Sequence, residues 1–461
     1  MKSLAALIQP EIEEMIRAGQ WGDLRETLHE LPPADVAEVF GELDPADAAV
    51  AFRFLYRDDA GEVFSYLEPD SQENLISKLG DEGSRRVIEA MSTDDRARLL
   101  DELPYTVAQR LIQSLNPEER QATLAILGYP AESVGRLMTP DYVAVRAAWT
   151  VEQALAHLRK HGRDAETINV VYITDEDGKL IDDIRIRQLL LADPGATLES
   201  IRDSNFVALT ADQDQEEAVR LMSRYDRIAL PVVDSRGKLL GIVTHDDVAD
   251  VAQAEATEDM QLMGGVAALE EAYIDTGHVE MYRKRAIWLA ALFLGQTVTI
   301  VVLGSFQDQL ERAKVLVFFL PLVISCGGNS GSQAATLITR ALSLGEVGPA
   351  DWLRIVKKEL ITALLLSVSL ATLGMGVVWA FTSMGHPHTE FRASLAAIVA
   401  GAIMLVVTWG TTVGSLLPLA LKRLGLDPAT ASTPLVATLM DASGTLIYLG
   451  IAIAILSGRL V

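Results

Sequence analysis

Hydrophobic and polar positions divide the 461-residue chain into three regimes. In the first, Leu31, Leu43, Leu55, Leu67, Leu79, Met91, Leu103, Leu115 and Leu127 recur at a spacing of 12. Many are followed by turn or cap residues, among them Pro32-Pro33, Asp44-Pro45, Glu68-Pro69, Ser92-Thr93-Asp94 and Asn116-Pro117. Proline just inside a helix start, after Asp, Ser or Asn, marks a helix N-terminus. Each unit therefore reads as a short helix plus a turn, and pairs of units make helical hairpins that stack into a small all-α solenoid. From about Arg136 the period changes. The run Tyr142–Val145, a helix Thr150–His161, a strand Ile168–Thr174, the turn Asp175–Gly178 and the run Lys179–Arg187 follow one another. The order then repeats as Phe206–Leu209, helix Gln213–Tyr225, Ala229–Val233, turn Asp234–Gly237, Leu239–Val243 and helix Asp246–Ala252. This predicts two α/β copies of the form βαββα, side by side. In the third regime five apolar stretches appear: Ala286–Phe306, Val315–Thr339, Ile361–Ser383, Ala393–Leu421 and Pro428–Gly458. Each reaches the ~20 residues needed to span a bilayer core.

Charge separates these regimes further. Of the net −24, residues 286–461 contribute 10 Lys/Arg against 8 Asp/Glu, leaving 29 against 55 in residues 1–285. So acidic a front part excludes nucleic acid as a partner, and its self-repulsion must be relieved by hydration, partner charges or metal cations. Cys326 is the sole cysteine, which excludes an intrachain disulfide and a cysteine zinc cluster. Met1–Pro10 lacks the apolar run of a signal peptide, so the front part is expected in the cytosol. Arg283-Lys284-Arg285, Arg340 with Arg354, Lys357 and Lys358, and Lys422-Arg423 lie on one side of the five stretches. The basic-residue rule then puts the N-terminus inside and the C-terminus outside.

Two stretches are unlike simple anchors. The second carries Gly327-Gly328-Asn329-Ser330-Gly331-Ser332-Gln333, which invites a kink, close helix approach or exposed carbonyls. The fifth contains Asp441, the one Asp, Glu, Lys or Arg within the five stretches. An ionisable residue there marks a functional site or a structural hydrogen bond to a neighbouring helix. A lone carboxylate suits an ion that keeps most of its water, as Mg2+ does, and a two-fold dimer would bring two copies of Asp441 together. Ahead of the membrane, Asp246, Asp247, Asp250, Glu255, Glu258 and Asp259 recur at helical spacings, so cations or hydration must relieve their repulsion. His386 and His388, near Glu390 in an outside loop, are either a weak external metal site or simply solvent-exposed. No nucleophile–base pair, P-loop or paired catalytic acids are present, so the chain does not read as an enzyme.

The α/β pair resembles tandem cystathionine-β-synthase-type (CBS) domains, through Leu137-Met138-Thr139-Pro140, Leu230-Pro231-Val232-Val233-Asp234 and Gly241-Ile242-Val243-Thr244-His245-Asp246-Asp247. That resemblance implies a nucleotide site, ATP being the candidate, at Thr244 and Asp247 with Arg187; the first copy has Gln188 at the acidic position. The whole order resembles the MgtE family of magnesium channels, carried by Glu255-Ala256-Thr257-Glu258-Asp259, the glycine-rich phrase above, Leu426-Asp427-Pro428-Ala429 and Pro434–Asp441. It implies a solenoid N domain over 1–132, CBS domains over 133–198 and 199–256, a connecting helix over 257–285 and a five-span α-helical pore domain over 286–461. It further implies Mg2+ held at Asp441 with the carbonyl of Ala437, Asn329 and Thr433 nearby, in a homodimer of the inner membrane. Regulatory Mg2+ would sit among Asp94, Asp95, Glu216, Asp226, Asp246, Asp247, Asp250, Glu255, Glu258, Asp259 and Asp427, closing the pore when cytosolic Mg2+ is high. Ser332 and Thr433 stand where the family often has Asn, which bears on selectivity. A Co2+ or Mn2+ transporter of the same build, and a non-transporting sensor, are the competing readings.

Overall fold

The computed structural model describes residues 4–163, 165–269, 273–274, 276–383 and 392–456. His386, His388 and Glu390 lie outside the described residues. The chain forms two compact units, Met1–Ala252 and Gln253–Val461.

The first unit begins with the expected helical repeat. Leu31, Leu43, Met91, Leu103 and Leu115 each occupy the C-cap of a helix, in extended conformation. There the chain turns and the side chain folds back into the core, where Leu43, Met91, Leu103 and Leu115 are buried. Pro33, Pro45, Pro69 and Pro117 open the following helices, and the Asp44, Ser92 and Asn116 side chains accept from Ala46, Asp95 and Glu119 amides. Such caps satisfy amides that the helix itself leaves unpaired. Leu55, Leu67, Leu79 and Leu127 depart from this pattern; Leu79 lies within Pro69–Ala90, where two helices meet end to end at Gly80, with φ of 73°.

The two α/β copies follow. In the first sheet β1 (Ala144–Arg146) pairs parallel with β2 (Val170–Thr174), which pairs antiparallel with β3 (Leu180–Arg185). The second repeats this with β4 (Leu209–Thr210), β5 (Ala229–Val233) and β6 (Leu239–Thr244). Both β2–β3 and β5–β6 turns are closed the same way: Asp175 accepts from the Asp177 and Lys179 amides, and Asp234 from those of Arg236 and Lys238. The copies pair through these turns, Leu180 N donating to Gly237 O and Leu239 N to Gly178 O. β4 is shorter than the expected Phe206–Leu209, because Ser204 just before it is left-handed (φ 56°) and its amide is held by Asp182.

Beyond β6 the expectation of a short helix followed by a separate connecting helix over 257–285 is corrected. One helix runs unbroken over His245–Met263, so the expected boundary at 256 falls in its middle. No glycine or proline interrupts these residues. The helix stops at Gly264-Gly265, and the next helix starts at His278.

Among its described residues the second unit holds five helices long and apolar enough to cross a membrane: His278–Ser305, Val315–Ser343, one within Pro349–Ser383, Arg392–Arg423 and Thr433–Leu456. The fifth begins at Thr433 rather than Pro428 because Asp427 caps a separate 3-10 turn over Pro428–Thr430. The fourth is central, packing on the second, third and fifth through Ile398, Val399, Ala402, Ile403 and Val406. Of the outcomes the glycines invited, close approach is the one found. A Cβ on Gly410 would lie 2.4 Å from the Gly327 carbonyl oxygen, and one on Gly414 would lie 2.0 Å from that of Gly331. Two glycines four apart on each helix let the backbones touch, as small residues do in membrane helix pairs.

Candidate functional sites

Within the first unit, acids from three separate pieces of chain meet in a seam. Asp94 and Asp95 sit in the first turn of Thr93–Glu102, and Asp246 and Asp247 in the first turn of His245–Met263. A helix N-terminus favours negative charge, but not this many. Asp94 is buried, and its Oδ1 has no hydrogen-bond partner. Its carboxyl is pushed well above the usual range by burial and then by Asp95. Asp247 is raised further, by burial and then by Asp94, although the Thr244 hydroxyl donates to it at 2.8 Å. Arg98 donates to Asp95 at 2.8 Å and lies 3.9 Å from Asp250, and the buried Arg96 interacts with Asp94 and Asp141.

Two members of the seam escaped sequence reasoning. Glu166 is pushed up to about 7 by burial and then by Asp94, Asp246, Asp95 and Asp141. Asp141 accepts from Thr93 at 3.2 Å and from Thr139 at 3.3 Å, tying the helical repeat to the first α/β copy. Neither stands in an acidic run, so charge patterning offered no signal. Among the described residues no three His, Cys, Asp or Glu side chains form a ready metal cage. An orphaned buried oxygen beside crowded carboxylates instead fits a hydrated divalent cation, which binds largely through its own waters.

The sign of the pH dependence follows. These acids bind protons more tightly docked than separated, so Mg2+-free stability falls as pH rises from the ordinary carboxylate range through about 7 and about 8, where Glu166 and Asp247 ionise. We expect the cation-free protein to melt at a lower temperature at pH 8.5 than at pH 5.5. Saturating Mg2+ should shrink the difference, and a pH-independent melting temperature would refute it.

The other regulatory candidates stand on other elements or farther along the connecting helix. Glu216 and Asp226 stand at opposite ends of Gln215–Tyr225, one in its first turn and one as its left-handed C-cap. At ~1.5 Å per residue they are too far apart for one ion. Asp226 has a structural task as well, turning the chain so that Arg227 reaches the buried Asp183 at 2.8 Å. Glu255, Glu258 and Asp259 are half-buried on the connecting helix. In the second unit Asp259 accepts from Ser343, at the end of the second span, at 2.9 Å. Burial raises its carboxyl, the Ser343 hydrogen bond opposes this, and nearby Asp427 adds to the rise. Asp427 also accepts from the Ala429 amide at 2.8 Å. Gly265, with φ of +73° and its would-be Cβ 2.6 Å from the Trp288 indole nitrogen and 3.2 Å from Pro434, ends the helix against the first span and the start of the fifth.

The membrane candidates gather on the second and fifth spans. Thr433, Ala437 and Asp441 recur every four residues, which places them on one face of the fifth helix. On the second, Ser325, Asn329 and Gln333 share that spacing and all are exposed. Gly328 faces Ala437, and the Ser332 hydroxyl donates to the Thr433 carbonyl at 3.4 Å, so the two departures from the family pattern are neighbours. Asn329 donates to Ser325 at 3.3 Å. Among the described residues the half-buried Asp441 carboxylate has no hydrogen bond or ion pair; its backbone carbonyl accepts from Thr445.

At the nucleotide candidates, Thr244 is buried and bonded to Asp247, while Arg187 is exposed on Ile186–Leu191. Gln188 accepts from the Arg185 amide and so caps that helix, which accounts for an amide where the second copy has an acid.

Comparison with known proteins matches a divalent cation transporter model, MgtE, over residues 320–451, the MgtE intracellular N domain over 31–132, and CBS domains over 134–195 and 198–254. The chain is 43% identical to the magnesium transporter MgtE of Thermus thermophilus over 345 residues, 75% of this chain and 74% of that one. It is 33% identical to that of Bacillus subtilis over 346 residues, 74% of each. Among solved structures it is similar to the cytosolic domain of the Mg2+ channel MgtE in complex with ATP, with 39% identity and a TM-score of 0.51 over 53% of this chain and 99% of that one. The soluble part of a magnesium transporter matches with 26% identity and a TM-score of 0.52, over 55% of this chain and 99% of that one.

Proposed function

This chain belongs to the MgtE family of magnesium transporters, and we propose on that premise that it admits Mg2+ through a homodimeric pore closed by cytosolic Mg2+. The observation that carries the reading is the exposed polar face of the spans. Ser325, Asn329 and Gln333 are exposed on the second span and Asp441 is half-buried on the fifth, and polar groups such as these are costly against lipid. A second copy about a two-fold axis closes that face into a polar pathway with two Asp441 carboxylates. The Ala437 carbonyl and Thr433 lie one and two turns before Asp441 and accept hydrogen bonds from the ion's waters.

The flanking basic residues support an inner-membrane protein with its N-terminus in the cytosol and its C-terminus outside. The acid seam then samples cytosolic Mg2+. With little Mg2+, the crowded carboxylates repel and the docked arrangement is disfavoured. With more, ions between Asp94, Asp95, Asp246, Asp247 and Asp250 favour it, and the unbroken His245–Met263 helix carries that state to Asp259 and Asp427. This is a population shift driven by tighter ion binding to one state. ATP at Thr244, Asp247 and Arg187 is a second input, supported by the ATP-bound relative.

Patch recordings from proteoliposomes test the scheme. Open probability should fall as Mg2+ rises on the cytosolic face, and Asp94→Asn with Asp247→Asn, which removes both the repulsion and the ion's ligands, should flatten that dependence severalfold. Mg2+-independent opening of the unmodified protein would contradict it.

A further inference from the structure

Between the end of the connecting helix and the start of the first span lies a cavity of about 1070 Å3. Leu262, Val266 and Ala267 line one side, and the first-span helix lines the other. On that helix Arg283 and Lys284 stand one turn before Ile287 and Trp288, and all four line the cavity. Residues four apart share a helix face and differ in height by ~6 Å. The wall therefore passes from cationic to apolar over one turn, just where the apolar stretch begins at Ala286. Glu280 and His278 also line the cavity, so its fixed charge among the described residues is a modest positive excess. The Trp288 indole N–H, against Gly265 in the same wall, is buried and has no acceptor.

We propose that this cavity holds one anionic glycerophospholipid of the cytosolic leaflet, the leaflet being the part that rests on the topology proposed above. Its phosphodiester pairs with Arg283 and Lys284, and its first chain carbons lie against the Trp288 ring, Ile287, Val266 and Leu262. Basic pockets at this depth between membrane helices suit such headgroups. Because Leu262 and Gly265 end the connecting helix, the lipid braces that end against the first span.

Full-length protein in phosphatidylcholine nanodiscs, doped with either brominated phosphatidylglycerol or brominated phosphatidylcholine, tests this. The difference in tryptophan emission between the wild type and Trp288→Phe isolates Trp288. Brominated phosphatidylglycerol should quench it at a severalfold lower mole fraction than brominated phosphatidylcholine, and soluble glycerol 3-phosphate should not relieve the quenching. Equal quenching by the two lipids overturns the proposal, as does relief by glycerol 3-phosphate, which would assign the cavity to a free phosphate. Arg283→Gln with Lys284→Gln should erase the preference. As those residues also orient the span, Val266→Glu supplies an independent variant expected to weaken it; a preference surviving both overturns the site. Mg2+ flux is read separately, so lost preference with flux intact counts against the lipid alone.

Discussion

Asp441→Asn should abolish Mg2+ uptake: a magnesium-starved host carrying the variant is expected not to grow, with the protein reaching the membrane in normal amount. The substitution keeps size and hydrogen-bonding capacity and removes only charge, at a half-buried carboxylate with no protein partner of its own. At an effective dielectric of ~20, a divalent ion about 5 Å from one carboxylate gains roughly 7 kcal/mol, and the pair in a dimer doubles the source. Hydration and screening take back much of that. Yet even ~2 kcal/mol of remaining preference is roughly thirtyfold in site occupancy, and it is lost at both copies together. Growth rescue by a well-expressed Asp441→Asn protein would remove Asp441 from the pathway. Asp441→Glu should keep some uptake, since it retains the charge and moves it by one methylene.

Gly414→Ala should have a comparably large effect by a different route, with little correctly folded protein recovered from membranes. The new methyl would sit 2.0 Å from the Gly331 carbonyl oxygen, and the obstacle is backbone rather than a side chain that can swing away. Alanine's helix propensity argues the other way by at most about 1 kcal/mol. Overpacking ordinarily costs about 1–3 kcal/mol, and here relief requires separating two whole helices, so the clash wins. Gly376→Ala is the control, because nothing lies within 4 Å of a Cβ there and the third span keeps its packing. Size-exclusion profiles of detergent-solubilised protein decide it; a monodisperse, normally melting Gly414→Ala protein would show that the helices part freely.

Architecture was legible wherever one local rule acted alone. The 12-residue leucine spacing reappears as C-cap residues, and the Asp-x-x-Gly turns appear at the same place in both α/β copies. Boundaries failed where two local signals competed. The acids after Thr244 recur at helical spacings, yet the expected domain boundary falls among them at 256; with no glycine or proline to break it, His245–Met263 is one element. The second-span glycines named the place and not the outcome, because Gly410 and Gly414 receive them from more than 75 residues away. Asp141 and Glu166 were missed for the same reason: each is one ordinary acid until the fold sets Asp94 and Asp246 beside it.

The unequal packing of the spans also bears on the order in which they can be made. The first span leaves the ribosome before the others, is almost wholly uncovered by the rest of the unit, and meets it mainly through the fifth. A uniformly apolar helix of this kind is stable alone in lipid while the chain is still being synthesised. The second is the reverse: it is the least apolar of the five, nearly half of it is buried, and its glycine face is complete only against Gly410 and Gly414. Those residues are made about 80 positions later. The second span can therefore complete its packing only once the fourth arrives, with residues 344–409 made in the interval.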